Sequence, residues 1–89
     1  MQVEAEISVV NQTGMHARAA AQFVQTASRF SADVFVSKDG SEVNGKSIMG
    51  VLLLVAGQGS VLRVRCEGPD AKDCLDALQQ LVHKGFGEA

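Results

Sequence analysis

The sequence predicts an α+β sandwich, an antiparallel β-sheet covered on one face by helices. Three observations carry that expectation. Val3, Ala5, Ile7 and Val9 alternate with Glu4, Glu6 and Ser8, and Leu62, Val64 and Cys66 alternate with Arg63 and Arg65, the period of two that buries one face of a strand. Ala20, Phe23, Val24, Ala27 and Phe30, and again Ala71, Leu75, Leu78 and Val82, recur at the spacing of a helix with one apolar stripe. Between them, Asp39-Gly40 is the dipeptide best suited to the two positive φ angles of a type I′ turn, so the sheet contains a hairpin.

The elements follow in chain order. The alternation at 3–9 is a first strand, punctuated by Asn11 to Gly14, and the first helix begins at or just after His16. Ala32 to Ser37, rich in Val and Phe, is a second strand that turns through Asp39-Gly40 into a short third one at Ser41 to Val43. Ser47 opens a short helix over Ile48 to Ala56, stopped by the breaker Gly57-Gln58-Gly59-Ser60. Val61 to Glu67 is the fourth strand, and Pro69 suits the first turn of a last helix. The order is therefore β-α-β-β-α-β-α.

Composition narrows the function. The 89 residues, 46% of them hydrophobic, suffice for one domain, residues 1–89, with one core. The net charge is −2 and the basic residues are scattered, so no electropositive stripe for a phosphate backbone exists and nucleic acid is not an expected partner. No apolar run reaches membrane-spanning length, and the acidic, alternating start lacks the pattern of a signal peptide. A cytoplasmic, unprocessed chain without membrane insertion is expected. Cys66 and Cys74 lack the spacing of a redox pair or zinc half-site and read as reduced core thiols.

Two stretches could carry chemistry. In Gly14-Met15-His16-Ala17-Arg18, a histidine stands where a helix cap normally places Ser, Thr, Asp or Asn. A core histidine would need an apolar setting, and this one lies at a loop-to-helix junction. A metal ligand would need partners, and His83, the other histidine, offers none at ligand spacing. A nucleophile is the third reading. Imidazole attacks through an unprotonated nitrogen, the positive end of a helix dipole works against the imidazolium cation, and free first-turn N–H groups with Arg18 nearby suit phosphoryl transfer. In Asn44-Gly45-Lys46-Ser47-Ile48-Met49-Gly50, Ser47 is a helix cap whose hydroxyl could also take a regulatory phosphate, with Lys46 nearby. The segment after it, Ile48 to Val55, is apolar nearly all round, either a poorly amphipathic short helix or, the favoured reading, a docking surface.

Together, NQTGMHARAAA and, about thirty residues on, VNGKSIMGVLLL closely resemble HPr, the histidine-containing phosphocarrier family of the bacterial phosphotransferase system. The resemblance extends over the whole chain, including the hairpin, the final helix and the KGFGE end. It implies an open-faced sandwich, four antiparallel strands with three helices on one side. It implies that enzyme I phosphorylates His16 from phosphoenolpyruvate and that the group passes to the IIA domain of a sugar permease, with Arg18 contacting the phosphate. Ser47 matches the serine modified by HPr kinase/phosphorylase, and a transcriptional regulator is a further partner of that form. Met15, Ala20, Ile48, Met49 and Leu52 are the expected docking residues, and a monomer the expected state.

One position departs from the family motif: Ala19 stands where proline usually follows the arginine. Alanine keeps the helix and restores one N–H donor in its first turn, a change of tuning that removes no catalytic group. Two rival classes are a purely regulatory binding module controlled through Ser47 and a ferredoxin-like metal- or amino-acid-binding domain. An enzyme is not expected, since the chain has no acid–base pair, no Ser or Cys nucleophile with a histidine partner and no glycine-rich nucleotide loop. No cofactor or metal is expected. Glu67 and Asp70 read as surface or helix-start charges, and His83 as a dipole partner at the end of the last helix.

Overall fold

A computed structural model of the protein describes residues 1–88. Four strands, β1 (Gln2–Ser8), β2 (Asp33–Lys38), β3 (Ser41–Asn44) and β4 (Val61–Glu67), form one sheet in the order β1-β4-β2-β3. Every neighbouring pair is antiparallel, with Val3 opposite Cys66, Val34 opposite Cys66 and Val36 opposite Val43. Three helices, α1 (Ala17–Ala27), α2 (Ile48–Leu53) and α3 (Ala71–His83), complete an open-faced sandwich, and a single 3-10 turn follows at Gly85–Gly87.

The alternation read from the sequence is what seats the sheet on the helices. On β4, Leu62, Val64 and Cys66 are fully buried while Val61 and Arg63 are exposed, so the central strand puts one face into the core and the other into solvent. Val34 and Val36 continue that buried face onto β2. Against it lie Ala20, Phe23 and Ala27 of α1 and Leu75, Leu78 and Val82 of α3, in the i, i+3, i+4 spacing that generates one apolar stripe per helix. At the hairpin, Asp39 and Gly40 have φ of 52° and 85°, the two positive values a type I′ turn demands.

The structure adjusts some boundaries. β3 extends through Asn44, and β2 starts at Asp33 rather than Ala32. α2 stops at Leu53, short of Ala56, because Val55 takes φ of 50° and leaves the helical region. Pro69 lies outside α3, whose cap position is Asp70. That carboxylate makes no cap bond. It accepts instead from the backbone N–H groups of Ser31 (2.9 Å) and Ala32 (2.8 Å), tying the connection between α1 and β2 to the start of α3. The Ser31 N–H, and then that of Ala32, hold the Asp70 carboxyl below its usual range. Asp70 is thus a stitch between segments rather than the plain helix-start charge its position suggests in sequence.

Both cysteines are free and buried. Burial pushes the Cys66 thiol up to about 12 and raises that of Cys74 as well, which leaves both without thiolate character at neutral pH.

Candidate functional site

His16 is the cap of α1, with extended backbone (φ −78°, ψ −178°) that turns the chain into the helix. Its carbonyl accepts the N–H of Ala20 at 2.8 Å, and its ring Nδ1 accepts the N–H of Arg18 at 3.3 Å, so the imidazole does what an Asn or Ser side chain does at other helix starts. No partner is found among the described residues for the backbone N–H groups of Ala17 and Ala19. They remain available to an anion on the ring. The Arg18 side chain is exposed and enters no ion pair among the described residues.

The loop beneath the ring is tightly specified. Gly14 sits at φ 68°, and Met15 N–H donates to the Ala56 carbonyl at 2.8 Å, fastening the loop to the segment that leaves α2. Asn11, buried, donates from Nδ2 to the Gly14 carbonyl at 2.7 Å. A β-carbon at Gly14 would meet Ala56 and Gly57 backbone, so glycine is required by space as well as by φ.

On the other side of the ring, Nε2 hydrogen-bonds to Glu88 Oε2. The second carboxylate oxygen, Oε1, accepts from Thr13 Oγ1 (2.6 Å) and Asn11 Nδ2 (3.1 Å). These bonds, that of Thr13 foremost and then that of His16, hold the Glu88 carboxyl down at about 2. A carboxylate can only accept and a backbone N–H can only donate, so the ring carries its proton on Nε2 and its lone pair on Nδ1. Glu88 escaped the sequence reading because 72 positions separate it from His16. The available signal was the lone aromatic of Gly85-Phe86-Gly87, which the structure buries and which thereby holds Glu88 against the domain.

The remaining site residues divide by exposure. Ser47 caps α2, its Oγ accepting the Gly50 N–H at 3.0 Å. Lys46, expected to serve Ser47 electrostatically, donates from its Nζ to the Phe30 carbonyl at 2.8 Å and so ties down the connection between α1 and β2. Ile48 and Met49 are exposed and Leu52 half-buried, compatible with a contact surface. Ala20 is not: it is completely buried in the apolar stripe of α1. Met15 is largely buried in the packed loop, yet it lines a depression beside His16. Leu53 and Val55, part of the apolar segment but not among the expected docking residues, are 72% and 78% exposed. That depression, shared by Val55, Leu52, Met15 and His16, is shallow and open.

Fold and site together define a small open-faced sandwich with a histidine at the head of its first helix. The family described as "PTS HPr component phosphorylation site" matches residues 3–84. The phosphocarrier protein HPr of Xylella fastidiosa is 49% identical over 97% of both chains. Among solved structures, HPr from Thermoanaerobacter tengcongensis superposes with a TM-score of 0.94 at 47% identity over 98% of both chains, and HPr from Bacillus anthracis with 0.88 at 47% identity over 91% of this chain and 96% of that one. The chain belongs to the HPr family, the phosphocarriers of the bacterial phosphotransferase system.

Proposed function

We propose that this chain accepts a phosphoryl group on Nδ1 of His16 from enzyme I and passes it to the IIA domain of a sugar permease. One observation carries the reading: the ring nitrogen that holds the lone pair is the one turned to the N–H groups at the start of α1. The phosphoryl oxygens then meet neutral donors and the positive end of a helix, with the exposed Arg18 guanidinium within the same turn. The group is carried stoichiometrically, and no cofactor or metal takes part. Ile48, Met49, Leu53 and Val55 supply the apolar face on which successive partners dock, with the carrier working as a monomer in the cytoplasm.

Phosphorylation of Ser47 by HPr kinase/phosphorylase is the regulatory part of the proposal. Its hydroxyl lies next to exposed Ile48 and Met49, so a phosphate there adds charge at the edge of the docking face. That charge weakens contact with an acidic enzyme I surface and creates a feature a transcriptional regulator can read.

The test is incubation with phosphoenolpyruvate and the cognate enzyme I, followed by intact-mass measurement beside a His16→Ala control. One acid-labile phosphoryl group, absent from the control, is expected. No gain in mass would remove the carrier function and leave a purely regulatory binding module as the better account.

A further inference from the structure

We propose that the free edge of β1 is a docking site for an extended segment of another protein in which basic and apolar residues alternate. The antiparallel register sets Val3, Ala5 and Ile7 opposite Cys66, Val64 and Leu62. At the two ends of the strand, Val9 N–H donates to the Ser60 carbonyl and Gly68 N–H to that of Met1, both at 2.8 Å. The odd-numbered residues therefore turn their backbone groups to β4, and Gln2, Glu4, Glu6 and Ser8 turn theirs outward. No backbone partner for those four is found among the described residues. An edge of seven residues so placed is a template for one more strand.

Charge selects the occupant. A strand added beside β1 sets side chains opposite Glu4 and Glu6 on the open face of the sheet, where opposite charges stabilise a cross-strand pair. Both glutamates are exposed. The register puts Arg65 across from Glu4, but that guanidinium donates to Glu67 at 2.7 Å and Glu42 at 3.1 Å and lies 4.3 Å from the centre of the Phe35 ring. Glu4 is left without an ion pair among the described residues. Glu6 meets Arg63 at 3.4 Å with both side chains more than half exposed, a weak pair that a new partner can replace. A second copy of this chain fails the same requirement, because β1 beside β1 sets glutamate against glutamate. The intervening residues of the added strand face the flank of α3, over an open groove of about 500 Å³ lined by Ile7, Val10, Gln79, Gln80 and His83. Apolar side chains at alternate positions meet Ile7 and the exposed Val10 there. This groove shares no residue with the depression at His16, so a segment held in it does not occupy the phosphoryl site.

The probe is a synthetic peptide alternating arginine and valine, as long as β1, titrated into the full-length ¹⁵N-labelled protein beside a glutamate–valine peptide of equal length. Amide correlation spectra locate the contact. The arginine peptide is expected to shift the amides of Gln2, Glu4, Glu6 and Ser8 most and to slow their exchange with solvent, and the glutamate peptide to leave them unmoved. The double variant Glu4→Lys, Glu6→Lys, checked by thermal melting, should bind the arginine peptide about tenfold more weakly or worse, as two opposite-charge pairs become like-charge pairs. Glu4→Gln with Glu6→Gln should fall between it and wild type, and both double variants should keep the wild-type rate of phosphoryl transfer. A third peptide, N-methylated on the edge that faces β1, keeps every charge but cannot donate to the β1 carbonyls, and should not bind. Equal binding of the methylated and unmethylated peptides would reduce the contact to undirected charge attraction and overturn the proposal. Shifts centred away from β1, or none at all, would also overturn it. Self-association through the same amides at neutral pH, read by sedimentation, would show that a second copy covers the edge instead.

Discussion

Replacing Gly14 with alanine tests whether the loop beneath His16 is as tightly specified as its geometry indicates. A β-carbon there lies 2.7 Å from the Ala56 carbonyl oxygen and 2.9 Å from Gly57 Cα. Both are backbone atoms, so no side-chain rotation relieves the contact. A left-handed conformation such as the φ of 68° at Gly14 costs an alanine about 1 kcal/mol. Clearing the overlap moves the loop away from Ala56, whose carbonyl accepts Met15 N–H at 2.8 Å. Losing such a hydrogen bond costs about 1 kcal/mol, and the remaining overlap in a packed region at least about 1 kcal/mol more. The expected loss is about 3 kcal/mol, a large share of the roughly 5–15 kcal/mol that holds a domain together. Gly40 provides the control: its φ of 85° is equally left-handed, but nothing lies within 4 Å of a β-carbon there. Gly40→Ala should therefore lose about 1 kcal/mol, or about 4–8 °C in Tm for a domain of this size, and Gly14→Ala about three times as much. Urea unfolding and calorimetry of the two variants measure the difference. Equal losses would refute the claim that close backbone approach, beyond the sign of φ, fixes the His16 loop.

Three further outcomes are expected. Met49→Glu, at a side chain 69% exposed, should leave Tm within a degree or two of wild type and slow phosphoryl transfer from enzyme I; unchanged transfer kinetics would dismiss α2 as the docking face. Glu88 has a folded-state carboxyl at about 2 against an ordinary value of 4.5, so the stability it contributes is fully present above the ordinary value and is lost as pH falls through about 2. A carboxyl ¹³C titration should show that low midpoint, and Thr13→Ala should raise it, because the Thr13 hydroxyl makes the largest single contribution to the depression. Cys66 and Cys74 should resist an alkylating thiol reagent in the folded protein and react promptly in denaturant; rapid native labelling at neutral pH would contradict their burial.

The parts of the fold legible in the sequence are those governed by short-range periodicity. β4 spans Val61–Glu67 as expected, because the alternation of Leu62, Val64 and Cys66 with Arg63 and Arg65 admits one register, and a slip of one residue would bury arginine. α2 was harder to delimit. Its sequence is apolar on every side, and its end is made by a β-branched residue, Val55, at φ of 50°, for which no local rule exists. Motif adjacency also misled at Ala20, which lies near the functional residues yet faces inward. For Ala20 the helical spacing with Phe23 and Ala27 already pointed to the core, and that evidence outweighs nearness to His16. Glu88 and Asp70 illustrate the other limit, since each acts on a segment remote in sequence.

A carrier has to hold its phosphoryl group long enough to reach the next partner and weakly enough to release it. Binding energy that stabilises the phosphorylated form alone would trap the group. The site meets both demands with modest groups: neutral backbone N–H donors, one exposed arginine on a flexible stem, and a half-buried ring in a shallow depression. Glu88, bonded to the ring through Oε2, adds to this balance. Its carboxylate favours the positively charged ring that the phosphoryl group creates, yet bears the same sign as the phosphoryl oxygens and so repels them across the imidazole. The first effect assists acceptance and the second assists departure. Glu88→Gln removes both at once, so forward and reverse transfer rates should fall together with little change in the phosphorylation equilibrium between enzyme I and this protein. A variant that shifted that equilibrium strongly while leaving the ring tautomer intact would show that charge, rather than ring orientation, is what Glu88 supplies.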